Sequence, residues 1–265
     1  LHLADKVVVV TGGANGIGLA LAKRFQGQGL RGLVLADLDG DAAAAAAAEL
    51  ECVGVRCDVT QENDIRNVVE IAQTRFGPID LFCSNAGIAL LDPDQENAAS
   101  SPNADFERCW NVHVMAHVYA ARALLPAMIA RGSGYFLNTV SAAGLLSQIG
   151  SATYSASKHA AIGFAEHLAI THREHGIRVS VLCPQAVRTA MIGGELGAGS
   201  AAVDGILTPE EVAEVVVRGL ESEQFLILPH PAVAHYMQRK AADYDRWLGG
   251  MVRLRRGLRR PPSCP

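Results

Sequence analysis

Residues 7–18 read VVVVTGGANGIG. Four Val in a row suit a strand covered on both faces, as in a parallel sheet. Gly12, Gly16 and Gly18 then let the chain turn sharply and bring its backbone close to a ligand. Helical patterning resumes at Ile17, so the turn opens into a helix. A helix starting there points free N–H groups and its positive dipole end at whatever lies above the turn, which suits a pyrophosphate. Alone, such a string is equally a tight turn; the strand before it and the helix after it supply the meaning.

The next apolar run, LVLA (33–36), ends at Asp37, 19 positions after Gly18. An acid there accepts hydrogen bonds from both ribose hydroxyls and repels a 2′-phosphate. This predicts NAD rather than NADP, since positions 38 and 39 are Leu38 and Asp39 and position 15 is Asn15, none of them basic. Leu38 is assigned to the same cofactor end. Read otherwise, Asp37 is a helix cap or turn acid, and the same geometry would hold S-adenosylmethionine in a methyltransferase.

Outward from this unit, short apolar runs alternate with helical patterns. Further strands are expected at 53–57, 79–83, 134–140, 177–183 and 224–228. Helices are expected at 17–28, 41–50, 62–75, 106–130, 152–174 and 209–221. The alternation predicts an α/β fold: a doubly wound parallel sheet of about seven strands with helices on both faces. No linker or repeat divides residues 1–265, so one domain is expected, with 230–265 as a C-terminal extension. The seven-Ala run in 42–48 reads as a plain exposed helix, because Ala is the best helix former.

The composition allows a large core: 49% hydrophobic and 19% charged among 265 residues. A net charge of -4 implies no bulk attraction to nucleic acid or an anionic membrane. The start lacks a basic segment and a cleavage site, so no signal peptide is expected. Val112–Ala130 is apolar but contains His113, His117, Arg122 and Pro126, which favours a buried or interface helix over a membrane span. Six Cys without a C-x-x-C pair read as reduced, mostly buried thiols of a cytoplasmic protein.

Tyr154 and Lys158 lie four apart in YSASK, on one helical face. Free Tyr titrates near pH 10, and an adjacent ammonium favours the phenolate, which would make a usable acid/base at neutral pH. On spacing alone the pair is a solvated helix face. Ser141 follows the run GYFLNTV (134–140), at a strand end where parallel sheets bind ligands, and could hold a carbonyl oxygen beside the phenol. Ser141 alone could equally cap a turn.

These stretches together resemble the short-chain dehydrogenase/reductase family in its single-domain form. TGGANGIG (11–18) is similar to the family's T-G-x-x-x-G-x-G loop. CDV (57–59), NAG (85–87), WNVHV (110–114), and Ser141 placed 13 residues before Y-x-x-x-K follow in the family's order. The resemblance spans about residues 3–230 and implies a Rossmann-like fold. It further implies that Tyr154 transfers the proton, Lys158 lowers the Tyr154 pKa and binds the nicotinamide ribose, and Ser141 orients the substrate oxygen. Asn111 would hold a helix kink and a water linking Lys158 to solvent. Gly12, Asn15, Gly16, Ile17 and Gly18 would hold the pyrophosphate side, Asp58 and Val59 the adenine, and Asn85, Ala86 and Gly87 the ribose region. Where the family reads P-G-x-V-x-T, this chain reads PQAVRT (184–189). Pro184, Val187 and Thr189 are retained beside the nicotinamide, while Gln185 replaces Gly and is expected to touch substrate or cofactor.

Residues 190–207 are rich in Gly and small side chains and are expected to form a substrate lid, with Met191 facing substrate. His113 and His117 stand four apart without a third ligand, so packing is expected rather than a metal site. The five Arg of RLRRGLRR (253–260) read as a solvated or disordered tail. A homotetramer, or dimer, is implied by the resemblance. The reading is an NAD(H)-dependent oxidoreductase interconverting a secondary alcohol and a ketone. The alternatives are a non-catalytic nucleotide sensor on the same fold and a methyltransferase.

Overall fold

The computed structural model describes residues 1–193 and 199–258. Among them, one sheet holds β1 (Val7–Thr11), β2 (Gly32–Asp37), β3 (Val53–Arg56), β4 (Leu81–Ser84), β5 (Gly134–Thr139), β6 (Ile177–Leu182) and β7 (Leu226–Ile227). The seven strands are all parallel, in the order β3-β2-β1-β4-β5-β6-β7. Val8 pairs with Leu33 on one side and Leu81 on the other. The winding reverses at β1, so a crevice opens at the carboxyl ends of β1 and β4.

The helices are α1 (Gly16–Gln26), α2 (Gly40–Glu49), α3 (Glu62–Phe76), α4 (Asn103–Trp110), α5 (Ala116–Arg131), α6 (Ala143–Leu146), α7 (Ala152–His172), α8 (Ala190–Gly193), α9 (Pro209–Glu221), α10 (Ala232–Ala242) and α11 (Tyr244–Leu258). Alternate residues of each strand face opposite layers. Val7, Val9, Val34, Phe82 and Phe136 pack with Leu124 of α5 and Ala165 of α7. Val8, Val10, Leu33, Leu35 and Leu137 pack with Phe25 of α1 and Val216 of α9. Burying each such large side chain contributes about 1.5–3 kcal/mol, which explains the unbroken apolar runs.

Three elements differ from the sequence reading. The Ala-rich α2 is not simply exposed: Ala43, Ala46 and Ala47 are buried against the sheet. A Cβ at Gly54 of β3 would lie 2.5 Å from the Ala43 carbonyl oxygen, so this contact admits only small residues. The long helix expected at 106–130 begins at Asn103 and contains a π-helical turn, Asn111–Met115, where the Ala116 amide donates to the Asn111 carbonyl. By length and composition Asn103–Arg131 could cross a membrane, but 50% of its apolar window is buried inside the fold. Lastly, the C-terminal extension folds as α10 and α11, which meet at Asp243, and α11 runs through the Arg-rich stretch to Leu258. Arg255 donates to Glu96 Oε2 at 3.0 Å, so this part of the tail is an anchored helix. Arg259 and Arg260 lie outside the described residues.

The start of α9 shows sequence setting a boundary. Thr208 Oγ1 accepts from the Glu211 amide at 3.2 Å, and Glu211 Oε2 accepts from the Thr208 amide at 2.7 Å. This reciprocal cap, with Pro209 in the first turn, satisfies two donors that a helix start leaves free.

Candidate active site

A cleft of about 890 Å³ lies over the carboxyl ends of the strands. At its phosphate end Gly12 has φ +61°, and a Cβ there would lie 2.9 Å from Ala86 Cα. A Cβ on Gly18 would lie 2.0 Å from the Gly12 carbonyl oxygen, so Gly18 packs the loop onto α1 from beneath rather than lining the cleft. Gly12, Asn15, Gly16 and Ile17 line it directly. Asn85 braces this loop, its Nδ2 donating to the Thr11 and Gly12 carbonyls at 3.1 and 3.3 Å. Thr11 Oγ1 accepts from the Asn85 and Ala86 amides at 3.0 and 3.2 Å. Thr11 and Thr139, which donates to Asn85 Oδ1 at 3.0 Å, are positioning residues that the sequence reading missed.

Asp37, Leu38, Asp58 and Val59 line one end of the cleft, and Ala86 and Gly87 its middle. Asp37 Oδ2 accepts from the Ala14 amide at 3.0 Å, and its Oδ1 accepts from the Asp39 amide at 3.2 Å. Asp58 Oδ1 accepts from the Thr60 amide and hydroxyl. Both carboxylates are thus fixed in place by short local loops.

At the other end Ser141, Tyr154 and Lys158 come together in the cleft wall. Ser151 caps α7, accepting from the Tyr154 amide at 3.4 Å, and so sets the phase of the helix that carries the phenol. Lys158 Nζ lies 5.4 Å from the Tyr154 ring centre and donates to the Thr139 carbonyl at 3.2 Å. Burial pushes the Tyr154 hydroxyl up to about 12, against a hydrogen bond with Ser141 that acts to lower it. Burial also brings the Lys158 ammonium down to about 8. Desolvation therefore outweighs the Ser141 hydrogen bond, and the depression by Lys158 that the resemblance implies does not arise when only the chain's own groups act.

Asn111 requires a correction. It is exposed, lies outside the cleft lining, and its side chain forms no hydrogen bond among the described residues. Arg108 and Val112 of this helix line the cleft, and His113, fully buried behind them, packs against Tyr154. Its Nε2 accepts from the Ile88 amide at 3.2 Å, and its Nδ1 lies 2.9 Å from Ser157 Oγ. The Ile88 donor leaves Nε2 unprotonated, so Nδ1–H donates to Ser157, whose hydroxyl donates on to the Thr153 carbonyl at 2.8 Å. Burial, then the Lys158 charge, hold His113 well below the usual imidazole range, so it is neutral. The π turn begins at Asn111, and its extra residue is invisible to a 3.6-residue count. The fully apolar surroundings of His113 were the available signal.

Pro184, Val187, Thr189 and Met191 line the cleft with Gln185, at the end that holds Ser141 and Tyr154. The Gln185 amide donates to His230 Nδ1 at 3.2 Å, while its side-chain Oε1 is buried without a partner among the described residues. Gln185 and Ser141 also belong to a second cavity of about 320 Å³. The expected lid, 190–207, includes residues 194–198, which lie outside the described residues. On either side of them, Met191 and Ile192 line the cleft, and Ser200, Ala201 and Val203 the second cavity.

A sequence model of the short chain dehydrogenase family matches residues 6–196. The chain is 38% identical to 1-deoxy-11-beta-hydroxypentalenate dehydrogenase of Streptomyces exfoliatus over 86% of its own length and 84% of that protein. The fold is similar to that of a short chain dehydrogenase/reductase from Burkholderia phymatum in complex with NAD, with TM-score 0.82 and 28% identity over 100% of this chain and 99% of that one. It is also similar to 3-ketoacyl-(acyl-carrier-protein) reductase of Brucella melitensis complexed with NADH, with TM-score 0.76 and 28% identity over 85% and 96%. This chain belongs to the short-chain dehydrogenase family. It is an NAD(H)-dependent oxidoreductase of the alcohol–ketone class, and neither the sensor nor the methyltransferase alternative is favoured.

Proposed function

We propose that the chain oxidises a secondary alcohol with NAD, or reduces the ketone with NADH, using Tyr154 as the proton-transfer group. The supporting observation is the convergence of Ser141, Tyr154 and Lys158 on one wall of a cleft whose far end holds the Gly12 turn and Asp37. The cleft's residues fit a dinucleotide. The Gly12 turn admits no side chain without displacing Ala86, and Asp37 stands ready to accept from ribose hydroxyls. When bound, the nicotinamide supplies the hydride acceptor or donor.

The chain's own residues then do the following. Ser141 orients the substrate oxygen beside Tyr154. Tyr154 gives its proton to that oxygen in reduction and takes it in oxidation. Lys158, held by the Thr139 carbonyl, places a positive charge beside the phenol and binds the nicotinamide ribose. His113 is a positioning residue: it fixes the Ile88 strand-end loop and the Tyr154 helix and, being neutral, adds no charge beside Lys158. Gln185 offers a buried oxygen to substrate or cofactor.

The Asp37 carboxylate and the lack of a basic residue at 38 or 39 support NAD over NADP. Residues 1–265 act as one catalytic unit, with 230–265 as an extension on the substrate side. We place the protein in a reducing, cytoplasmic setting; the support is that Cys57, Cys83, Cys109 and Cys183 are buried free thiols. Trp110 and Ile170, 47% and 79% exposed on α4 and α7, support a homo-oligomer, a tetramer by the family resemblance. The test of the reading is hydride transfer between NAD(H) or NADP(H) and a panel of secondary alcohols and ketones. Turnover with NAD(H) but little with NADP(H) supports it; turnover with neither overturns it.

A further inference from the structure

The second cavity opens from the catalytic wall at Ser141 and Gln185 and runs beneath α10 and α11. Ala142, Leu146, Val203, Trp247, Met251 and Leu254 supply an apolar part of its wall, which suits an apolar body, beside the polar Ser147, Gln148, Ser200 and Tyr236. The same wall carries three guanidinium groups, Arg239 from α10 and Arg246 and Arg253 from α11. Arg246 and Arg253 are seven residues apart, hence on one face of the helix, two turns or about 10 Å along its axis. None of the three forms an ion pair with a described residue. Their neighbour Arg255, by contrast, is paired with Glu96. Asp204 accepts from the Tyr236 hydroxyl at 2.9 Å and is not paired with Arg239.

The three guanidinium groups are exposed on the cavity wall and unpaired among the described residues, so an anion entering the cavity meets three cations with no competing carboxylate partner. The planar fork of Arg matches a carboxylate with two parallel hydrogen bonds. We propose that this cavity selects an alicyclic or similarly apolar alcohol that also bears a carboxylate, held by Arg239, Arg246 and Arg253. The apolar body spans the cavity, and the reacting oxygen meets Ser141 at its mouth. This rests on the oxidoreductase reading above, because it takes Ser141 as the point where substrate oxygen sits.

The test is calorimetric titration of the protein saturated with NADH. The probes are adamantane-1-carboxylate and adamantane-1-carboxamide, nearly equal in shape and different in charge. The carboxylate is expected to bind about tenfold tighter or more, the scale of a charged hydrogen-bonded pair. Its advantage is expected to shrink at high salt. In the double variant Arg246→Gln, Arg253→Gln the two probes are expected to bind within about twofold, with NADH affinity as the control for folding. Equal binding of the two probes to the unaltered protein, no binding of either, or a carboxylate preference that survives both high salt and the double variant overturns the proposal. The first comparison and the salt series need no variant, so misfolding of the double variant leaves them decisive. If the charge preference fails while neutral ketones are still reduced with NADH, the substrate-class proposal falls and the oxidoreductase reading stands.

Discussion

The imidazole of His113 stands edge-on to the phenol of Tyr154, with ring centres 5.4 Å apart and planes at 86°. One ring nitrogen holds the Ile88 amide and the other holds Ser157, one turn along the helix from Tyr154. His113 therefore ties the two sides of the catalytic wall together. His113→Leu leaves the Ile88 amide and the Ser157 hydroxyl without their partner, at a cost of about 1–3 kcal/mol each. A shift of the Tyr154 helix of this origin is expected to lower kcat roughly 10–100-fold. NADH affinity should change little. His113→Asn, which can still accept and donate, should recover much of the loss. Steady-state kcat and KM with NADH Kd, measured across pH for the three proteins, check this.

His117 gives a prediction about acid. It is 3% exposed, both ring nitrogens lack a partner among the described residues, and burial lowers its pKa from 6.5 to about 3. Between those two values the unfolded chain binds the proton and the folded chain does not, so stability rises with pH. The contribution is fully present above 6.5 and is lost at about 1.4 kcal/mol per pH unit as pH falls. His117→Leu should flatten the slope of unfolding free energy against pH by about that amount between pH 6 and pH 4. Urea denaturation at stepped pH measures it, and an unchanged slope would contradict it.

Asp37 should decide the cofactor. Asp37→Ser keeps a short hydrogen-bonding side chain but removes the charge. NAD affinity should fall roughly 10–100-fold, the scale of a charged hydrogen bond. NADP binding should fall less or improve, so the ratio of the two kcat/KM values narrows. An unchanged ratio would remove Asp37 from the recognition of the ribose.

Gly18→Ala tests the phosphate turn. A Cβ would meet the Gly12 carbonyl oxygen and Asn85 Nδ2 at 2.0 and 2.6 Å, so the turn must shift. Overpacking of this kind costs about 1–3 kcal/mol. For a chain of this length that lowers Tm by roughly 2–4 °C per kcal/mol. NADH affinity should fall with it, because the same loop cradles the pyrophosphate. Thermal unfolding with and without NADH would show both effects.

The sheet was readable because its strands are buried on both faces and so appear as Val and Leu runs, and because α9 announces its start with Thr208, Pro209 and Glu211. The Gly12 turn, Asp37, Ser141 and the Tyr154–Lys158 pair were readable because each stands at a strand end or within a single helical turn. His113 was not, since its partners, the Ile88 amide and the Ser157 hydroxyl, come from distant parts of the chain, and no regular spacing announces the π turn that carries it. Nor was the second cavity. Arg253 reads as part of a solvated basic tail until α11 folds back to close a cavity with α6 and α10, and chain-distant packing of that kind leaves no mark on local spacing.

The proton-transfer role of Tyr154 is most directly tested by one comparison: ketone reduction by NADH with the unaltered protein and with Tyr154→Phe, beside NADH binding to each. The account predicts that the variant binds NADH with nearly unchanged Kd while kcat falls about 10²–10⁴-fold, the contribution of a positioned acid/base. A variant that reduces the same ketone within a few-fold of the unaltered protein's rate would contradict it.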